Sequence, residues 1–146
     1  MIDKMNKLVS TLQHDICEAL TVSCGATFKQ DAWERPGGGG GLTCVTADGP
    51  VLEKGGVNVS TVEGVVTPES PEGAMFRQLL SKQGAHILPD ETIKFAATGI
   101  SLVLHPLNPF VPTTHANYRY FECVRGNGET LWWFGGGADL TPYYLF

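Results

Sequence analysis

Two predicted strands in the second half of the chain carry the side chains best suited to chemistry. Because side chains alternate between the faces of a strand, His115, Asn117 and Arg119 are expected to share one face. Ser101 and His105 are expected to share one face of the preceding strand. Histidine titrates near neutral pH, and arginine binds a carboxylate through two parallel hydrogen bonds. The pattern indicates a site for an anionic ligand that carries carboxylates.

Structural roles remain open for the same residues. A single histidine is more often a hydrogen-bonded structural residue than a catalytic one. Arg119 is able to pair with Glu122 or Glu129 instead of binding a ligand. Residue types alone leave both interpretations standing.

A run of aromatic residues followed by three glycines forms a second candidate feature. Residues 132–134 are Trp, Trp and Phe, residues 135–137 are Gly, and Asp139 follows. Glycines let the backbone approach a flat ligand closely. The alternative is an aromatic strand that ends in a loose turn, with Asp139 capping the residues after it.

The remaining patterns predict an α+β protein of one domain, residues 1–146, with a mainly antiparallel sheet. Apolar residues at three- and four-residue steps predict a first helix that ends near Gly25; they are Ile2, Met5, Leu8, Leu12, Ile16 and Leu20. A second helix is predicted over residues 74–84, after a loop at 67–73, and a turn at 87–90. Strands are predicted at 26–33, 42–45, 51–54, 55–62 and 95–105. Glycine and asparagine at 125–129 predict the hairpin turn between the last two strands.

Five consecutive glycines at 37–41 are compatible with several roles. A phosphate-binding loop would end in Gly-Lys-Ser/Thr, whereas this run continues Leu-Thr-Cys. A flexible linker is one alternative. Strand-like flanks favour a mobile or ligand-covering loop between packed elements.

Charge and cysteine content narrow the function class. A net charge of -5 with ten scattered basic residues argues against a nucleic-acid partner. The N-terminal apolar stretch is interrupted by charges, which argues against a signal peptide or a membrane span and favours a cytoplasmic protein. The cysteines lack the close spacing of metal ligands and are expected to be reduced thiols; they are Cys17, Cys24, Cys44 and Cys123.

Several segments resemble oxygen-dependent coproporphyrinogen III oxidase, an enzyme family of haem biosynthesis. They read ATGISLVLHPLNP, VPTTHANYRYFE and WWFGGGADLTPYYL, in the family's order and spacing. The upstream segments WERPGGGGG and EKGGVNVS are also similar. The resemblance runs from Trp33 to the last residue, and less distinctly through the N-terminal helix.

The resemblance implies an oxidoreductase that uses molecular oxygen to turn two propionates of coproporphyrinogen III into vinyl groups. The products would be protoporphyrinogen IX, carbon dioxide and hydrogen peroxide, with no flavin, haem or nicotinamide cofactor. It also implies a flat antiparallel sheet with helices on both faces, and a homodimer. The chain would be the N-terminal half of the family's domain, with little or no activity by itself. The alternative is a truncated, non-catalytic porphyrinogen-binding fragment.

Residue roles follow from the same resemblance. His115 matches a proton donor, and Asp139 matches an acid that accepts hydrogen bonds from pyrrole N–H groups. The substrate-contacting positions are matched by Ser101, Asn117, Tyr118 and Arg119, together with Asp139. Some bacterial members carry divalent-metal ligands at the positions of His105 and His115, with the remaining ligands beyond residue 146.

Overall fold

The computed structural model describes residues 1–70, 73–82, 84–86 and 88–144. The elements are α1 (Ile2–Cys24), β1 (Lys29–Glu34), β2 (Gly39–Ala47), β3 (Leu52–Val66), α2 (Gly73–Lys82), β4 (Ile93–Pro106), β5 (Thr113–Val124) and β6 (Thr130–Thr141). Within the described residues the strands form one six-stranded sheet in the order β1-β2-β3-β4-β5-β6. Every neighbouring pair is antiparallel, so the predicted class is confirmed.

The two helices cover opposite faces of the sheet. Val9 of α1 packs against Val57, Val59 and Ile100. On the other face, α2 packs through Leu80 and other apolar side chains onto Ile93, Cys123 and their neighbours. Ile93 and Ile100 differ in strand parity, which places them on opposite faces of β4. The expected arrangement, with helices on both faces, is confirmed.

The first helix is rotated relative to its predicted apolar stripe. Val9 and Gln13 are buried, whereas Leu8 and Leu12 are 48% and 39% exposed. The Gln13 amide donates to two backbone carbonyls, one in β2 and one in β3, at 2.7 and 2.8 Å. These bonds satisfy the amide and tie the helix to the sheet, so a polar residue occupies the buried stripe. The helix ends as predicted at Gly25, whose φ of 64° is left-handed.

The predicted loop at the glycine run is wrong, because Gly39 to Gly41 belong to β2. The Trp33 indole lies directly over Gly41, and a Cβ at that position would collide with the ring and with the Val59 carbonyl. Trp33 also donates its indole N–H to the Thr43 hydroxyl at 3.1 Å. Glycine is needed at position 41 so that the Trp33 ring is able to lie across β2.

The predicted hairpin turn at residues 125–129 is confirmed. A turn at residues 48–50 joins β2 to β3, and the turn at 125–129 joins β5 to β6. In the second turn Arg125 N–H donates to the Glu129 carbonyl at 2.9 Å, and Gly128 takes a φ of 85°. Within α2, Phe76 and Leu80 are buried, whereas Met75 is exposed. Parts of the predicted loop, second helix, turn and chain end lie outside the described residues, at positions 71, 72, 83, 87, 145 and 146.

Among the described helices, none has the length and apolarity that a membrane crossing requires.

An ion-pair cluster ties the start of β4 to the end of β5. Arg125 donates to both carboxylate oxygens of Glu91 at 3.0 Å, and to the His86 carbonyl at 2.7 Å. Gly126 N–H adds a bond to Glu91 at 3.1 Å. The Arg125 hydrogen bonds are the main cause that lowers the pKa of Glu91 to about 2, while burial opposes the shift. Glu129, which is more exposed, also pairs with Arg125.

We expect Glu91→Gln to lower the free energy of unfolding at pH 7 by about 1.5–3 kcal/mol, because it removes charge-assisted hydrogen bonds. The folded pKa of Glu91 lies below its ordinary value of 4.5, so the unfolded chain takes up the proton first on acidification. The wild-type protein therefore loses this stabilisation as the pH falls from about 5 towards about 2. Urea unfolding at several pH values should show the gap between variant and wild type narrowing with acid.

Glu129→Gln is the matched control for this cluster. Its carboxylate is 48% exposed, so we expect a loss below about 1 kcal/mol at pH 7. Stability curves for wild type and Glu91→Gln that stay parallel across this pH range would contradict the assignment.

Candidate active site

The antiparallel register of β4, β5 and β6 places the predicted site residues in adjacent rows. Paired residues in such a sheet face the same way, so each row forms a line across one face. The rows are Val103–His115–Asp139, Ser101–Asn117–Gly137 and Gly99–Arg119–Gly135. Residues 24 positions apart in sequence thus become direct neighbours.

His115 and Asp139 form a hydrogen-bonded pair. The distance from His115 Nδ1 to Asp139 Oδ2 is 2.8 Å, and the side chains are 41% and 56% exposed. A carboxylate accepts only, so a neutral His115 carries its proton on Nδ1 and leaves Nε2 free to accept one. The tautomer of His115 is therefore set by a carboxylate on the neighbouring strand.

The hydrogen bond from His115 is the main cause that lowers the pKa of Asp139 below its ordinary value. Desolvation opposes this effect, and a bond from the Thr141 hydroxyl at 3.2 Å adds to it. Asp139 therefore stays a carboxylate that accepts hydrogen bonds. It lies inside β6, so the alternative of a loose turn at the glycine triplet is wrong.

Two glycines open space over β6 on the site face. A Cβ added at Gly135 or at Gly137 would meet no atom within 4 Å. Gly136, between them, faces the opposite side, where Tyr118 packs against it. The strand thus offers bare backbone to a ligand on one face and packs closely on the other.

A cleft of about 590 Å³ lies over these glycines. We call it the β6 cleft; its polar lining is His115, Asn117, Arg119 and Asp139. Its apolar wall includes Phe121 and Trp133, whose rings stack with centroids 4.3 Å apart, and Leu79 from α2. The alternation of side chains along the strand would have placed Trp133 on the site face from the sequence alone. The position of Leu79 was not predictable from the sequence, because it depends on how α2 packs on the sheet.

Ser101 lies beside this cleft, in an adjoining groove of about 430 Å³ over β4. Asn117 and Arg119 line both the groove and the cleft. Among the described residues Arg119 forms no ion pair; Glu129 pairs instead with Arg125, and Glu122 accepts from the Tyr120 hydroxyl. The alternative of a structural ion pair at Arg119 is therefore not supported.

Tyr118 is the one predicted substrate contact whose side chain lies away from the others. Strand alternation puts it on the α1 face, opposite Asn117 and Arg119, and it is 56% exposed there. On the same face Tyr120 is buried, whereas Tyr118 and Val124 are exposed.

His105 and His115 line one small pocket, together with Asp139 and Thr113. The Thr113 hydroxyl lies 3.4 Å from His105 Nδ1, and His115 Nδ1 bonds to Asp139. The part of the chain that the structure describes contains no group of three or more His, Cys, Asp or Glu side chains able to hold a metal ion. Metal binding at His105 and His115 stays a prediction.

Fold and site together define an α+β protein that presents a hydrogen-bonded histidine–aspartate pair and a cation beside a cleft lined by glycines. Residues 4–146 match the family model described as coproporphyrinogen III oxidase. The chain belongs to this family.

Named relatives agree with the family match. An oxygen-dependent coproporphyrinogen-III oxidase of Drosophila melanogaster is 50% identical over 147 residues, which cover 99% of this chain and 36% of the relative. The mitochondrial enzyme of Homo sapiens is 46% identical, over 99% of this chain and 31% of the relative. Coproporphyrinogen-III oxidase 2 of Arabidopsis thaliana is 47% identical, over 98% of this chain and 60% of the relative. The chain thus spans about a third of the animal relatives' length.

Removing the carboxylate beside His115 should change the tautomer of the imidazole. In the neutral imidazole of the wild-type protein we expect the proton on Nδ1, because Asp139 accepts its hydrogen bond. In Asp139→Ala we expect the proton to redistribute towards Nε2. Nitrogen-15 chemical shifts of the His115 ring report both states.

Thr141→Val is the control, since it removes the second contact of Asp139 but leaves the bond to His115. Its spectrum should match the wild type. A wild-type ring with its proton mainly on Nε2 would disprove the pairing.

Proposed function

We propose that this chain carries the substrate-binding face and the proton-transfer pair of an oxygen-dependent coproporphyrinogen III oxidase. In this reaction two propionates of coproporphyrinogen III become vinyl groups, giving protoporphyrinogen IX in haem biosynthesis. The observation that carries the proposal is the His115–Asp139 pair at the edge of the β6 cleft, in a chain of this family.

The substrate's chemistry complements the β6 cleft. The volume of the cleft lies within the range typical of small-molecule sites. At Gly135 and Gly137 the backbone carries no side chains, which leaves room for a broad ring. The Asp139 carboxylate accepts hydrogen bonds from the pyrrole N–H groups at the ring centre. Arg119 and Asn117 bind propionates at its periphery.

Each decarboxylation is a two-electron oxidation by molecular oxygen. The bond from the methylene carbon to the carboxyl carbon breaks, carbon dioxide leaves, and the electron pair forms the vinyl double bond. The adjacent carbon loses a hydrogen with two electrons, which oxygen accepts, and one further proton completes hydrogen peroxide. His115 supplies that proton in our proposal. Oxygen is the co-substrate, and the protein contributes positioning and charge stabilisation.

A homodimer and a cytoplasmic location remain predictions. The human relative's name places that protein in mitochondria, and the Arabidopsis relative's name places that one in chloroplasts. Sedimentation of the purified chain and fractionation of the source cells would decide the two questions.

The first test measures turnover with and without His115. Coproporphyrinogen III is added without oxygen, oxygen is admitted, and the porphyrins are separated after oxidation. Two proteins are assayed: this chain, and a chimera in which it replaces the aligned segment of the Drosophila relative. In the chimera we expect His115→Ala to lower protoporphyrin formation by about 100-fold or more.

His14→Ala is the matched control, because His14 is 77% exposed on α1, far in sequence from the site strands. It should leave turnover unchanged. Activity in His115→Ala equal to that of the parent chimera would exclude the proposed role. Substrate binding by the isolated chain without product would identify it as a binding fragment.

Adjacent glycines of β6 allow a test of ligand placement. Gly137→Ala points a methyl group into the β6 cleft, where it meets no protein atom within 4 Å. We expect the free energy of unfolding to change by less than about 0.5 kcal/mol, and the affinity for anaerobic coproporphyrinogen III to fall about 10-fold. Quenching of tryptophan fluorescence measures the binding.

Gly136→Ala supplies the contrast. Its methyl group would collide with the Asn117 carbonyl and the Tyr118 ring on the opposite face, so we expect a loss of about 1–3 kcal/mol in stability. Unaltered affinity in Gly137→Ala would place the ligand elsewhere on the sheet.

A further inference from the structure

The groove over β4 continues the β6 cleft towards β3. Ser60 of β3 pairs with Gly99 of β4, and Gly99 pairs with Arg119 of β5. All three line the groove, together with Ser101. One row therefore carries a hydroxyl, a residue without a side chain, and a guanidinium.

The Arg119 side chain leans over Gly99. A Cβ at Gly99 would lie 2.9 Å from Arg119 Cγ, whereas a Cβ at Gly135, on the other side of Arg119, would meet nothing within 4 Å. The Cγ of Arg119 therefore lies close to Gly99 of β4. Arg119 also lines the same groove as Ser60.

The polar groups of this groove are available to a ligand. Within the described ranges, neither the Ser60 hydroxyl nor the Ser101 hydroxyl takes part in a side-chain hydrogen bond, and Arg119 has no acidic partner. A carboxylate would satisfy both kinds of donor, because one oxygen is able to accept from the guanidinium and the other from a hydroxyl.

We propose that Ser60 and Arg119 form a carboxylate subsite over Gly99, in the groove that adjoins the β6 cleft. The proposal rests on the proposed function and adds to it: while the macrocycle lies over β6, one of its propionates extends across β5 into the groove. Ser60 donates its hydroxyl proton to that propionate, and Arg119 supplies the positive charge. Gly99 keeps the passage open, since any side chain there would displace Arg119.

The test is a double-mutant cycle on anaerobic coproporphyrinogen III binding, read by tryptophan fluorescence. We expect Ser60→Ala to weaken binding about 5-fold, and Ser60→Thr, which keeps the hydroxyl, to stay within about 2-fold of wild type. Since the two residues hold one carboxylate, Ser60→Ala should add less than about 2-fold in an Arg119→Gln background. Ser10→Ala, at an exposed position of α1, is the control. Urea unfolding of each variant verifies the fold.

The outcomes separate the two proposals. If the wild-type chain binds the substrate and Ser60→Ala binds it equally well, the subsite is overturned and the proposed function stands. The subsite would also be overturned if the losses of affinity caused by Ser60→Ala and Arg119→Gln multiply in the double variant, because the two residues would then contact different groups of the substrate. A folded wild-type chain and chimera that neither bind nor convert the substrate would overturn the proposed function, and the subsite with it.

Discussion

The register of the antiparallel sheet is the constraint on which the site depends. A slip of one residue between β5 and β6 would turn Asp139 to the opposite face and break its bond to His115. The tight turn at residues 125–129 sets this register locally. The bidentate pair of Arg125 and Glu91 adds a second restraint, because it joins the residues that flank β4 and β5. This cluster therefore holds β4 beside β5 at the end of the sheet opposite His115.

The glycine run of β6 has a different role on each face of the sheet. At Gly136 the missing Cβ makes room for Tyr118, so this position serves packing. At Gly135 and Gly137, on the other face, the space is empty of protein. A local run of identical residues therefore divides between stability and recognition according to strand parity.

The two helices leave the site open because each covers a different region. α1 covers the face opposite the site, where buried Val57 and Val59 form a core. α2 lies on the site face but packs near the end of β4 that carries Ile93. The polar rows of β4, β5 and β6 therefore stay accessible, bounded by the aromatic wall of Phe121 and Trp133.

The sequence by itself determined the α+β class, the hairpin turns, and which site side chains share a face within each strand. These properties are local, since they depend on periodicity and on residues that tolerate a positive φ. The family motifs added the expected roles of His115 and Asp139, which stay predictions; the folded chain shows that the two side chains share a hydrogen bond.

Only the tertiary structure decided the contacts between elements. The His115–Asp139 bond needs the β5–β6 register, and the close approach of Arg119 Cγ to Gly99 needs the β4–β5 register. The burial of Gln13 in α1 depends on carbonyls that two strands present together. Such properties arise from packing between residues that are distant in sequence, and no local sequence pattern predicts that packing.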